Sequence, residues 1–186
     1  MKQSIVALVG ISGVGKSTLL KSVSDTVQFQ HLQASALIKE AREAVTASSV
    51  ATDDLRQANI GDNQALLLRG FQNRRSAEAP LIVLDGHTVI DTPSGLVRID
   101  PPVFAALGVT HFIFLADNPE SICLRRCKDD ARKRPERSPE ELDDHQSQAL
   151  LGAFAAALHL GAPLMVFTLG QVDAVRSALR SIASGA

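Results

Sequence analysis

Gly10-Ile11-Ser12-Gly13-Val14-Gly15-Lys16-Ser17-Thr18 decides how this chain folds. The stretch fits the pattern G-x-x-x-x-G-K-S/T, and its flanks suit that pattern. Ile5-Val6-Ala7-Leu8-Val9 before it has the length of a buried strand, and Thr18-Leu19-Leu20-Lys21-Ser22-Val23 after it suits a helix. A strand, a glycine-rich loop and a helix in that order make a phosphate-binding loop, the P-loop. Gly10, Gly13 and Gly15 let the backbone turn tightly around Val14 and aim its N–H groups inward as an anion nest. The N-terminus of the following helix adds positive potential. Lys16 supplies a point charge for the β- and γ-phosphates of ATP, Ser17 a hydroxyl for Mg²⁺, and Thr18 a hydroxyl within reach of the α-phosphate.

Outward from the loop, five apolar runs read as strands, at 4–9, 27–32, 80–84, 109–116 and 163–168. Segments of helical character separate them, at 16–26, 35–48, 53–78, 118–134, 139–160 and 171–183. The alternation predicts an α/β fold with a parallel sheet and right-handed crossovers. The connection between the second and third strands is longer than a crossover needs, which predicts a helical insertion over the ligand-binding edge of the sheet.

Leu81-Ile82-Val83-Leu84 runs into Asp85-Gly86-His87. An acid at the tip of a strand beside the P-loop strand is what a Mg²⁺ site needs, so Asp85 is expected there. His87 is placed to touch a substrate or to order water around the metal. Thr88-Val89-Ile90-Asp91-Thr92-Pro93-Ser94-Gly95 reads as a polar loop for substrate contacts. Residues 124–139 are crowded with arginine. Pro135 and Pro139 break the helix, and Ser138-Pro139-Glu140-Glu141 starts another. Helix, short basic loop, helix is the form of a lid whose arginines neutralise a phosphoryl group in transfer. Arg126 is placed to stack on adenine.

Composition narrows the class. Hydrophobic residues are 45% and charged residues 21% of the chain, a globular balance. A net charge of −1 gives no case for a nucleic-acid partner. No apolar run approaches the roughly 20 residues of a membrane span. Met1-Lys2-Gln3-Ser4 leads straight into the first strand, leaving no room for a signal peptide, so a cytoplasmic protein without a membrane partner is expected. Cys123 and Cys127 are read as structural. The run Leu150–Leu158 is apolar nearly all round; burial explains it as well as an oligomer contact does, and a homo-oligomer is possible.

The P-loop, the 85–95 stretch with its T-P-S-G string, and the helix beginning Ile122-Cys123-Leu124-Arg125-Arg126 together resemble the archaeal-type adenylate kinases, P-loop nucleoside monophosphate kinases, over nearly the whole chain. The resemblance implies a P-loop NTPase fold: a five-stranded parallel sheet flanked by helices, in a single kinase domain over 1–186. It implies a helical acceptor-binding insertion at 35–79 and a short Arg-rich lid at 128–139. It implies reversible transfer of the γ-phosphoryl group of Mg·ATP to AMP or a related monophosphate. Lys16 and the loop glycines become the ATP cradle, Ser17 and Asp85 the metal site. Arg126, Arg132, Arg134 and Arg137 hold phosphates and base. In the insertion, Arg42 and Arg56 become candidates for the acceptor phosphate and Gln64 for its base. Two positions depart from the family. Gly86 replaces a threonine, and Asp91 stands where the family often has an arginine. An acid there opposes a monophosphate acceptor, with Arg98 seven residues on as a compensating charge.

Two other readings fit the same residues. One is a kinase for a different small acceptor, in which a hydroxyl needs a general base: Asp85 first, then Asp91 and His87. The other is a nucleotide-binding regulator or slow ATPase. Under the transferase readings, Lys16→Ala is expected to abolish transfer with little effect on folding.

Overall fold

The computed structural model describes residues 3–46, 60–92, 94–129 and 134–185. Arg56 and Arg132 lie outside these residues.

Five strands pair in parallel in the order β2-β3-β1-β6-β7. They are β1 (Ser4–Val9), β2 (Gln30–Gln33), β3 (Leu81–Gly86), β6 (His111–Ala116) and β7 (Leu164–Thr168). The three central strands are nearly all apolar because helices cover both faces, as the sequence implies. The helices are α1 (Lys16–Ser24), α2 (Ala34–Thr46), α3 (Ile60–Arg74), α4 (Pro101–Ala106), α5 (Pro119–Cys127), α6 (Pro139–Leu160) and α7 (Val172–Ser184). The expected five-stranded α/β sheet is therefore present. Its register sets Leu8 beside Asp85 and Val9 beside Gly86, so the acid of β3 stands level with the start of the P-loop.

The structure corrects three local expectations. Residues 88–95 are not all loop: β4 (Val89–Thr92) and β5 (Gly95–Arg98) form an antiparallel hairpin outside the main sheet. Strand β2 begins at Gln30, not 27, because Thr26 and Val27 still donate to the carbonyl of Val23 and close α1. Helix α5 stops at Cys127, where Lys128 caps it.

Two close contacts hold the upper elements. On α3, a Cβ at Gly70 would lie 2.6 Å from the Leu37 carbonyl oxygen, so only glycine lets α2 and α3 approach this closely. On α6, the Thr88 hydroxyl donates to the Ala149 carbonyl at 2.6 Å, and a Cβ at Gly152 would meet Thr88 at 3.1 Å. Helix α6 is anchored by a capping box between Ser138 and Glu141. It buries its small residues, Ala149, Gly152, Ala153 and Ala156, and leaves Leu151, Phe154 and Leu158 exposed.

Candidate active site

Glycine is required at two turns of the P-loop, since Gly13 and Gly15 have φ of 87° and 109°. Gly10 serves close approach: a Cβ there would lie 2.5 Å from the Leu115 carbonyl oxygen. Lys16 is buried at the start of α1. Its ammonium donates to the carbonyls of Gly10 (3.0 Å) and Ile11 (3.4 Å) and lies 3.7 Å from Asp85 Oδ1. Ser17 Oγ donates to Asp85 Oδ2 at 3.4 Å, and His31 Nε2 on β2 is 3.8 Å from the same oxygen, an ion-pair distance. Burial pushes the Asp85 carboxyl up, but His31, Lys16 and His87 outweigh it, and the group sits below its ordinary 3.8. A hydroxyl and an ionised carboxylate beside a phosphate cradle suit Mg²⁺, which takes few protein ligands and completes its shell with phosphate and water.

The end of α5 and the residues before α6 bring three arginines onto this loop. Arg125 donates from Nε to the Gly13 carbonyl at 2.8 Å and from Nη2 to Asp117 at 2.6 Å. Arg126 donates from Nε to the Ser12 carbonyl at 2.8 Å. Arg134 donates to Ser12 Oγ at 3.0 Å and pairs with Asp129. Lys16, Ser17, Thr18, Arg125 and Arg134 line an open cavity of about 370 Å³ over the loop.

A second cavity, about 160 Å³, lies against the first. Ser12, Gln33, Asp85 and His87 line both, so they form the wall where the two meet. The second chamber has apolar sides from α2, α3 and α4, among them Ile38, Leu67, Val103 and Phe104. Asn63, Gln64, Asp91 and His145 add polar groups. Among the described residues, no lysine or arginine lines it. His87 Nδ1 donates to the Gly10 carbonyl at 2.7 Å, which fixes the proton on that nitrogen.

A family model described as an AAA domain matches residues 9–143, more than half of the chain. The chain belongs to that family, AAA_17. Its curated relatives bear out the resemblance read from the sequence. The adenylate kinase of Pyrococcus furiosus is 27% identical over 168 residues, 87% of this chain and 84% of that protein. The adenylate kinase of Thermococcus kodakarensis is 29% identical over 167 residues, with the same coverage of 87% and 84%. Solved structures share the fold. A shikimate kinase from Bacteroides thetaiotaomicron superposes with a TM-score of 0.57 at 17% identity, covering 97% of this chain and 98% of that one. A gluconokinase from Sinorhizobium meliloti gives 0.51 at 14% identity, covering 98% and 92%. This AAA_17 member is thus a P-loop kinase in fold and kinship.

Within that frame, the expected residues divide. Gly13, Gly15, Lys16, Ser17, Thr18, Asp85 and Arg134 line the cradle, and Gln64 and His87 line the chamber. Arg42 instead braces α2 to α3 by donating to Asn63 Oδ1 at 2.6 Å, and Arg98 donates to Gln148 on α6 at 2.9 Å; neither lines a cavity. Arg126, expected at phosphate and base, has its side chain buried between the Ser12 carbonyl and Asp91 and lines neither cavity. Arg125 takes the exposed place at the cradle. The sequence reading also missed His31, Gln33, Asn63 and His145. The Arg-Arg pair was a visible signal for Arg125; the others come together only through sheet order and helix packing.

Proposed function

We propose that this protein transfers the γ-phosphoryl group of Mg·ATP to a small acceptor held in the apolar chamber. One observation carries the reading: a phosphate cradle and a chamber that share a wall at Ser12, Gln33, Asp85 and His87. A donor phosphate on one side and an acceptor oxygen on the other meet there. The acceptor oxygen attacks the γ-phosphorus in line, a new P–O bond forms, the bond to the β-phosphate bridge breaks, and ADP leaves. Lys16, Arg125 and Arg134 neutralise phosphate charge. Ser17 and Asp85 would hold Mg²⁺, which supplies further charge neutralisation when bound.

The name of the relatives makes AMP the first acceptor to test, and this is the adenylate-kinase-like reading. The insertion at 35–79 and the lid at 128–139 are then the acceptor-binding and closing parts of a single domain. The chamber favours a second reading, an acceptor hydroxyl, because its described lining offers no cation for a second phosphate. A hydroxyl must lose its proton as it attacks. His87 is the candidate base: with Nδ1 committed to Gly10, Nε2 is the basic nitrogen of the neutral ring. The test is a transfer assay with Mg·ATP across nucleoside monophosphates and small alcohols, beside a control without acceptor. ADP formation that depends on an acceptor supports the proposal. ADP formation at the same rate without any acceptor overturns it in favour of an ATPase.

A further inference from the structure

Asp91 sits on the hairpin strand β4, almost fully buried, and lines the acceptor chamber. Behind it stand two guanidinium groups that do not line the chamber. Arg137 Nη2 donates to Asp91 Oδ1 at 3.0 Å, and Arg126 Nη1 lies 3.6 Å from Oδ2. Arg126 belongs to the end of α5 and Arg137 to the approach to α6, so one carboxylate ties both flanks of the lid segment. The Arg137 guanidinium is held above its ordinary range, chiefly by its bond to Asp91.

The consequence is electrostatic. Two guanidinium groups beside a kinase acceptor site are what a phosphate or carboxylate group would seek. Asp91 already occupies both with a carboxylate of its own, Oδ1 bonded to Arg137 and Oδ2 buried beside Arg126. An incoming anion finds these guanidinium groups already paired, and no lysine or arginine on the described walls of the chamber. A charge-assisted hydrogen bond that the acceptor forgoes in this way changes its affinity by about tenfold or more. Size points the same way: about 160 Å³ is close to the roughly 150 Å³ that accommodates a benzene ring in an apolar protein cavity.

We infer that Asp91 is a specificity-determining residue: it stands in for an acceptor's anionic group, rejects nucleoside monophosphates, and selects an uncharged, ring-sized hydroxyl compound with an apolar body. The inference rests on reading the two cavities as donor and acceptor sites.

The test is equilibrium binding of AMP, by calorimetry, to the wild type and to Asp91→Asn, each loaded with Mg²⁺ and a non-hydrolysable ATP analogue. The analogue's own binding is titrated first. The wild type is expected to bind the analogue and to take AMP weakly. Asp91→Asn is expected to bind AMP tighter by about tenfold or more, and inorganic phosphate is expected to raise the unfolding temperature of the variant further than that of the wild type, where the P-loop is the anion site. AMP binding that is tight in the wild type, or unchanged or weaker in Asp91→Asn, overturns the inference. Should Asp91→Asn fail to fold, Asp91→Glu keeps the charge and must keep the weak AMP binding; tight binding there overturns it equally. If the analogue binds neither protein, the kinase reading falls, while the difference between the phosphate-dependent unfolding shifts of the two proteins still decides whether Asp91 occupies an anion site; equal shifts overturn it.

Discussion

Replacing Lys16 by methionine keeps most of the stem and removes the ammonium. The structure makes this a test of stability as well as of transfer. At 3.7 Å from Asp85, the ammonium contributes a gross attraction of about 4.5 kcal/mol at an effective dielectric constant of roughly 20. Desolvation of the two ions cancels much of it, but removing one partner leaves the other buried and unbalanced, at a cost of about 3–5 kcal/mol. Ser17 and His31 stay with Asp85, which puts the expected loss near the low end, about 3 kcal/mol. For a chain of this size that is a fall in Tm of about 6–12 °C. The expectation from sequence, little effect on folding, is thereby revised, because Lys16 is part of a buried network. The pH dependence gives the sign. In the wild type the Asp85 carboxyl lies below 3.8, so its contribution to stability is present above that pH and lost as pH falls through the lowered value. Without the Lys16 charge, burial is opposed by less and the folded value climbs. The deficit is then largest in mildly alkaline buffer and shrinks on acidification, as the buried carboxyl takes up a proton. Thermal unfolding of both proteins across pH measures it, with acceptor-dependent ADP formation expected to fall about 10³-fold or more. Equal Tm values in alkaline buffer, or a deficit that does not change with pH, would refute the reasoning.

Three further outcomes are expected. Gly70→Ala places a methyl 2.6 Å from the Leu37 carbonyl oxygen and should cost about 1–3 kcal/mol, read as a lower urea midpoint at unchanged slope; an unchanged midpoint means α2 and α3 separate freely. Arg125→Ala should weaken binding of an ATP analogue by about 10- to 100-fold, the worth of charge-assisted hydrogen bonds, whereas Arg98→Ala, away from both cavities, should leave it as it is. Cys127 is exposed and Cys123 is not, and burial with Cys127 beside it pushes the Cys123 thiol above its ordinary 9.0. Iodoacetamide should therefore modify Cys127 first, as peptide mapping would show; equal rates at the two would contradict it.

The cradle was legible in the sequence because its demands fall on consecutive residues. Backbone that must turn at Gly13 and Gly15 admits almost only glycine, and Lys16 and Ser17 follow at once. The central strands were legible because burial on both faces makes them continuously apolar. The hairpin was not: β4 and β5 are four residues each, lie off the main sheet, and show no period-two alternation of apolar with polar residues, in a stretch broken by Thr92-Pro93-Ser94-Gly95. Nor was α4, six residues opening on two prolines. The chamber draws on residues from Ser12 to His145, which no local pattern joins. Arg125 and Arg126 differ by one helical step, about 100° of rotation, and that step decides which guanidinium lines the cradle and which faces Asp91.

The hairpin has a consequence for how such a protein diverges. The cradle is built from the tips of β1 and β3 and the start of α1, all locked into the core. The chamber takes most of its surface from α2, α3, the hairpin and α4, of which only α2 directly continues a strand of the main sheet. Under the proposed function, nucleotide chemistry and acceptor choice thus draw on largely separate parts of the chain, which meet at Ser12, Gln33, Asp85 and His87. Substitutions on β4 or α4 can retune what is phosphorylated while the donor site stays intact, which makes those two elements the place to graft a new acceptor preference onto this scaffold.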